Sequence, residues 1–168
     1  MTPPDASAPL TDDELATWAS LATVLEWLPA ALDAQLQRDA QLTHFEFGVL
    51  YALAHAPDAT LRMSTLSTYA NSSLSRLSRA ATRLEARGWM RRTPDPSDGR
   101  FTLAILTDAG LGKVGETTPG HQELVRRLVL DRLTSAQAQQ LREISTRIAE
   151  GIGPGAWTPP HGRDASTD

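Results

Sequence analysis

Cysteine is absent from this 168-residue chain, which excludes disulfides, thiol redox sensing and any thiolate metal site. Lysine is almost absent: Lys113 is the only one, so arginine carries nearly all the positive charge. Aromatic residues make up only 5%. There is no run of eighteen apolar residues, and no membrane span is expected. Residues 1–9 hold neither a basic residue nor an apolar core, so no signal peptide is expected and a cytoplasmic location is the default. The four histidines, His44, His55, His121 and His161, never fall at the spacing that sets two imidazoles on one helix face. Nothing local argues for a metal. Neither a G-x-S-x-G elbow nor a phosphate-binding glycine loop occurs, and Gly110-Leu111-Gly112 lacks the third glycine and the strand–helix context of a nucleotide site. No constellation for catalysis is visible, so neither enzyme activity nor a cofactor is expected.

Hydrophobic residues at 40% and charged residues at 21% are globular proportions. The net charge of −4 alone argues against a polyanionic partner, but its distribution reverses that reading. Residues 62–100 carry eight arginines against Glu85, Asp95 and Asp98, a net +5, which leaves −9 on the remainder. Such asymmetry is the footprint of a face that meets phosphate.

Helix starts punctuate the chain. Thr11–Glu14, Thr43–Glu46 and Thr134–Gln137 are capping boxes, and Thr107 can cap a further helix. The first helix should span residues 12–37, with Leu15, Trp18, Ala22, Leu25, Pro29, Leu32 and Leu36 as a seam that Pro29 kinks or splits. A mostly apolar helix over 45–55 should be central to the core. A short helix over 64–69 follows, then a turn at Asn71 and Ser72. A longer helix over 73–87 then ends at Gly88, with Leu74, Leu77, Ala81 and Leu84 buried. Residues 89–93 and 101–106 read as two strands, with Phe101, Leu103 and Ile105 on one face, around the turn-rich segment 94–99. Helical sequence resumes at Asp108, should bend or break at residues 117–120, and ends in a helix over 135–152 with Leu141, Ile144, Ile148 and Ile152 in line. Residues 1–10 read as a disordered lead-in and 153–168 as a loose tail.

Short helix, turn, longer helix and hairpin together make a helix-turn-helix with a wing. The second helix of such a pair fits the major groove, and its outward face should be polar and basic. Ser72, Ser75, Arg76, Arg79 and Arg83 form that face, and arginine can bind guanine with two hydrogen bonds. Arg100 at the hairpin tip can reach the narrow, negative minor groove, with Asp98 holding its guanidinium. Arg91 and Arg92 at the hairpin base can touch flanking phosphates.

The segments Arg83-Leu84-Glu85-Ala86-Arg87-Gly88, Asp95-Pro96-Ser97-Asp98-Gly99-Arg100 and Leu106-Thr107-Asp108-Ala109-Gly110 closely resemble MarR-type regulators, and the likeness covers about residues 12–152. The resemblance implies a mainly α fold with a two-stranded β wing and a helical dimerisation module built from both termini. That module would comprise residues 11–42 and 107–152, with the winged lobe at 43–106. It implies major-groove contacts by Ser75, Arg76, Ser78 and Arg79, and a homodimer on double-stranded DNA. Ser72, Ser73, Arg83, Arg91, Arg92, Asp98 and Arg100 complete the expected interface. It also implies a cleft that takes a small aromatic or anionic ligand and releases DNA, with repression the usual mode. Trp18, Trp27, His44, Phe47 and Tyr51 are the candidates for that cleft, although aromatics at helical spacing also suit a core. Trp89 stands where the family usually has an aliphatic residue, and the absent cysteine excludes the branch that senses peroxides.

Long apolar seams at both ends exceed what a winged lobe can cover, which favours self-association. The alternative is a winged helix that binds protein, or an antirepressor without specific DNA binding. Arg76, Arg79 and Arg100 argue against it, since such a module has no need of groove-reading arginines.

Overall fold

The computed structural model describes residues 9–152. Most of the expected lead-in and all of the expected tail, with His161, lie outside the described residues. The elements run α1 (Asp12–Ala40), α2 (His44–Ala54), β1 (Thr60–Arg62), α3 (Met63–Tyr69), α4 (Leu74–Ala86), β2 (Met90–Asp95), β3 (Asp98–Leu106), α5 (Asp108–Leu128) and α6 (Ser135–Ile152).

Local chemistry sets the helix starts. At α1 the Thr11 hydroxyl accepts from the Glu14 amide at 3.3 Å, and the Glu14 carboxylate accepts from the Thr11 amide at 2.8 Å. Thr43 and Glu46 repeat the exchange at α2, as do Thr134 and Gln137 at α6. Orphan amides of each first turn are thereby satisfied. Left-handed residues mark the corners: Gln41 after α1, Asn71 between α3 and α4, and Gly88 after α4.

The sheet is three-stranded and antiparallel, in the order β1-β3-β2. Three residues before α3 therefore join the expected hairpin, with Thr60 opposite Ile105 and Arg62 opposite Leu103. A run as short as Thr60-Leu61-Arg62 carries no readable period, so only pairing to β3 makes it a strand. The inner face of β3 also differs from expectation. Ala104 and Leu106 enter the core, while Leu103 and Ile105 are half-buried and Phe101 is exposed beneath the Arg62 guanidinium, 4.4 Å from its ring centre.

One core joins the lobe. Leu36, Leu42, Leu50, Leu53, Leu66, Leu77 and Leu84 are fully buried, with Met90, Ala104 and Val114 packed among them. Ala80 takes the buried place expected of Leu74, which is 55% exposed because it opens the first turn of α4, ahead of the packed stripe. The core captures only the C-terminal end of α1, through Leu32, Leu36 and Ala40, while α6 buries no residue.

Neither α1 nor α5 is split where proline suggested a kink, bend or break. α1 runs unbroken through Pro29. Pro29 and Leu25 are both exposed, so the carbonyl that proline leaves unpaired faces water. α5 runs unbroken through Pro119 and four glycines. The Thr117 and Thr118 hydroxyls bond back to the carbonyls of Lys113 and Val114 at 2.7 Å each. Buried Val114, Thr117 and Leu124 hold the helix against the body, so packing overrides weak propensity.

The start of α5 has no slack. The Thr107 hydroxyl donates to the Gly88 carbonyl at 2.6 Å and accepts from the Gly110 amide at 3.1 Å. A Cβ on Gly110 would collide with the Trp89 carbonyl oxygen and lie 2.8 Å from Leu106 Cδ1. Gly110→Ala should therefore destabilise the protein by about 1–3 kcal/mol or more, because the obstacle is backbone. Gly112→Ala, which meets open space, should be neutral or stabilise by up to about 1 kcal/mol. Urea unfolding of the two variants checks this; equal midpoints would refute the close-approach argument.

Candidate nucleic-acid interface

α3 and α4 form the helix-turn-helix, and β2 and β3 form the wing. Ser73, rather than Ser72, caps α4: its hydroxyl accepts from the Arg76 amide at 3.3 Å. Outward from α4 stand Ser75, Arg76, Arg79 and Arg83, all exposed. Their guanidinium groups are not equivalent. Arg76 stacks on the Phe45 ring at 4.3 Å, Arg83 Nε donates to Glu46 Oε1 at 2.6 Å, and Arg87 Nη1 donates to the Gln41 carbonyl at 2.5 Å. Arg79 makes no ion pair or hydrogen bond among the described residues.

At the wing tip, Arg100 Nη2 and Nε donate to Asp98 at 2.6 and 3.0 Å, and the Arg100 amide adds a bond at 3.1 Å. The Arg100 side chain remains 85% exposed. This pairing holds the Asp98 carboxyl below its ordinary range and raises the guanidinium. At the start of the wing turn, Asp95 is buried and accepts from Ser97 and from Arg62, at 2.9 Å for Arg62 Nε. Arg62 thereby ties β1 to the turn that aims Asp98 and Arg100. Sequence reasoning missed this tie, because Arg62 and Asp95 approach only once β1 pairs with β3.

Two expected DNA contacts are committed elsewhere. Arg92 Nη2 donates to Glu85 at 2.6 Å and to Thr82 at 3.0 Å, and Nη1 donates to the Ser78 hydroxyl at 3.0 Å. The Arg92 amide bonds Glu85 as well, at 2.7 Å. Arg92 and Ser78 thus fasten the wing to α4 instead of standing free for phosphate. Hydrogen bonding to Arg92 holds the Glu85 carboxyl low, against the opposing effect of burial. Arg91 is exposed beside it and has no bonded partner among the described residues.

Behind α4 lies a cleft of about 1340 Å³, walled by α1, α2 and α5. His44, Phe47 and Tyr51 line it, as do Asp33, His121 and the three arginines 76, 79 and 83. Trp18 and Trp27 do not; they stand on the free half of α1, Trp27 at 76% exposure. An interrupted α5 would have hidden His121, yet its spacing from Val114, Thr117 and Leu124 is that of one helix face. Its ring meets Phe47 edge-on at 4.9 Å and His44 at 5.7 Å, and its buried Nδ1 has no hydrogen-bond partner. Burial lowers the basicity of both histidines; the Asp33 charge opposes this at His44, and the His44 charge adds to it at His121. Among the described residues, no group of three or more histidine or carboxylate side chains could hold a metal.

A basic helix-turn-helix beside an arginine-tipped wing defines a winged helix of the DNA-binding type. The family model of the MarR family matches residues 40–100. Sco3205, a MarR family transcriptional regulator from Streptomyces coelicolor solved in complex with DNA, is 45% identical with a TM-score of 0.84. The match covers 90% of this chain and 98% of that one. AbsC, a MarR family transcriptional regulator from the same organism, is 33% identical with a TM-score of 0.82, covering 87% and 98%. A mutant MarR from E. coli complexed with operator DNA shares the fold at 23% identity and a TM-score of 0.71, covering 84% and 99%. No curated protein matches the sequence. The chain belongs to the MarR family of transcriptional regulators.

Two predictions arise from this geometry. Arg92→Ala should cost about 1–3 kcal/mol of stability by stranding part-buried partners, whereas Arg91→Ala should leave the melting temperature within about a degree or two, as surface changes do; equal losses in thermal melts would contradict the distinction. Because both cleft histidines bind protons less readily folded than unfolded, stability should fall as pH drops through and below the ordinary imidazole range. Denaturation at steps between about pH 7 and 5 should show a smaller decline for His121→Phe than for wild type, and identical slopes would refute it.

Proposed function

We propose that this protein is a sequence-specific DNA-binding regulator that acts in the cytoplasm as a homodimer, represses its targets, and is not an enzyme. The observation that carries the DNA reading is the paired presentation of exposed Arg79 on α4 and exposed Arg100 on the wing, the latter pre-aimed by Asp98. α4 would enter the major groove with Ser75, Arg76 and Arg79, while Ser72 and Ser73 approach the backbone. Phe45 holds the Arg76 guanidinium by its face, which leaves the donor edge for a base. Arg100 would enter the minor groove and Arg91 would meet a flanking phosphate.

The terminal helices support the dimer. Leu15, Trp18, Leu25 and Trp27 on α1 are exposed, as are Leu141, Ile144, Ile148 and Ile152 on α6. α1 holds an 18-residue window that is long and apolar enough, by length and composition, to cross a bilayer, and only 6% of it is buried. A second copy would cover this surface, as large exposed apolar faces commonly mark interaction sites. Two recognition helices would then sit about one DNA turn apart, roughly 34 Å, on a pseudo-palindromic site. The cleft behind α4 suits a small aromatic or anionic ligand, with rings at His44, Phe47, Tyr51 and His121 and cationic groups opposite.

The test is fluorescence anisotropy on duplexes selected from random DNA, with sedimentation equilibrium for the assembly. Arg79→Ala and Arg100→Ala should each weaken specific binding by about 1–3 kcal/mol. Wild type should sediment as a dimer at micromolar concentration. Full binding by the double variant, or a monomer that binds as well as wild type, would overturn the reading.

A further inference from the structure

The flank of α4 that turns toward the corner between α1 and α2 carries an unusual load. Arg76, Ala80, Arg83 and Arg87 follow the spacing of one helix face. Ala80 on this stripe is buried, and the three arginines all engage the corner between α1 and α2. Glu46 is the centre of that engagement. Its side chain is only 7% exposed and its two oxygens do separate work. Oε2 accepts from the Thr43 amide at 2.9 Å and closes the first turn of α2, while Oε1 accepts from Arg83 at 2.6 Å. The next residue in that turn, His44, donates its amide to Asp33 of α1 at 2.8 Å. A hydrogen-bonded path therefore runs from α1, through the first turn of α2, into the last turn of α4.

We propose that Glu46 is a positioning residue for the recognition helix, and that Arg83 and Arg87 are latches which set the tilt and rotation of α4 rather than DNA-reading groups. The proposal rests on the DNA-binding reading above. Charge-assisted bonds to a buried carboxylate are short and directional, so they resist rotation better than apolar contact alone. Between them, Arg76, Arg83 and Arg87 tether about 16 Å of helix length. A helix held at three points along one stripe presents Ser75 and Arg79 at a fixed angle. Freeing the middle tether would leave the lobe folded on its leucine core but let the reading face turn.

The experiment uses the full-length protein with its selected duplex, and compares Glu46→Gln, Arg83→Gln, the double variant and Arg79→Ala. Glutamine still closes a capping box, so the charge is removed while the first turn of α2 keeps its acceptor. Glu46→Gln and Arg83→Gln should each weaken specific binding by about 2- to 30-fold. The double variant should be no weaker than either single one, and the dependence of log affinity on log salt should keep its wild-type slope. Arg79→Ala serves as the control for DNA reading itself: if it binds like wild type, that reading fails, whatever Glu46 does. If Arg83 instead touches phosphate, Arg83→Gln alone will lower the slope by about 0.9 and Glu46→Gln will leave affinity unchanged or raise it. Either result overturns the proposal. Should Glu46→Gln fail to fold, the slope for exposed Arg83→Gln decides alone: unchanged supports the latch, and lowered refutes it.

Discussion

The side chain of Arg92 determines how the two DNA-facing elements relate. A helix and a hairpin can read DNA together only if their separation is fixed, and a six-residue strand joined to α4 by a tight turn does not fix it alone. Arg92 reaches back along α4 and bonds Ser78, Thr82 and Glu85, one residue per turn. Glu85 answers with a second bond to the Arg92 amide. The five donors of a planar guanidinium make this possible; a lysine at the same place would offer one point charge and no fork. With α4 and β2 fastened, the Gly88 corner, the Thr107 cap and the start of α5 stack in a single allowed arrangement, and Gly110 is the residue small enough to complete it.

Cations in this segment divide by what neutralises them. The +5 concentrated in residues 62–100 reads, in sequence, as one electropositive surface. In three dimensions Arg62, Arg83, Arg92 and Arg100 each meet a carboxylate within 3 Å. Arg100 keeps far more of its surface in water than the others, and its carboxylate aims the side chain without covering it. An exposed ion pair of this kind adds little to stability; its value lies in reducing the rotamers that must be frozen when a ligand is met. Arg76 and Arg87 meet only a ring and a carbonyl, and Arg79 and Arg91 have no side-chain partner among the described residues.

The general plan was legible in the sequence because its signals are local. Capping boxes at Thr11, Thr43 and Thr134, the turn at Asn71 and the left-handed Gly88 each depend on a few adjacent residues. The Asp98–Arg100 pair was legible for the same reason. What failed depended on distant partners. β1 exists only through β3, and Arg62 finds Asp95 only through β1. Arg92 looks like an exposed base until α4 is laid beside it. Proline and glycine in α1 and α5 misled in the opposite sense: at Pro29 the freed carbonyl faces water, and in α5 packing at Leu124 and threonine hydroxyls overrule local weakness. Glu46 was visible as a capping residue, but its second oxygen had no assigned partner until α4 was in place.

Continuity of α1 and α5 has a mechanical consequence. Each is a single rod, with one end in the lobe core and the other presenting apolar surface outward. α1 contributes Leu32, Leu36 and Ala40 to the lobe and ends at the corner that holds Arg83 and Arg87. α5 begins under the wing at Gly110 and passes His121 along the cleft. A break at Pro29 or Pro119 would have let lobe and terminal helices move independently, with any change in the cleft absorbed at the hinge. Without one, the side chains that wall the cleft cannot separate unless a whole helix tilts. If Arg83 and Arg87 latch α4 as proposed, such a tilt would reach the recognition helix through the corner after α1. On the dimeric, ligand-responsive reading proposed above, the angle of the DNA-reading face would depend on how the terminal helices are packed, so that one cleft could govern the spacing of two reading heads.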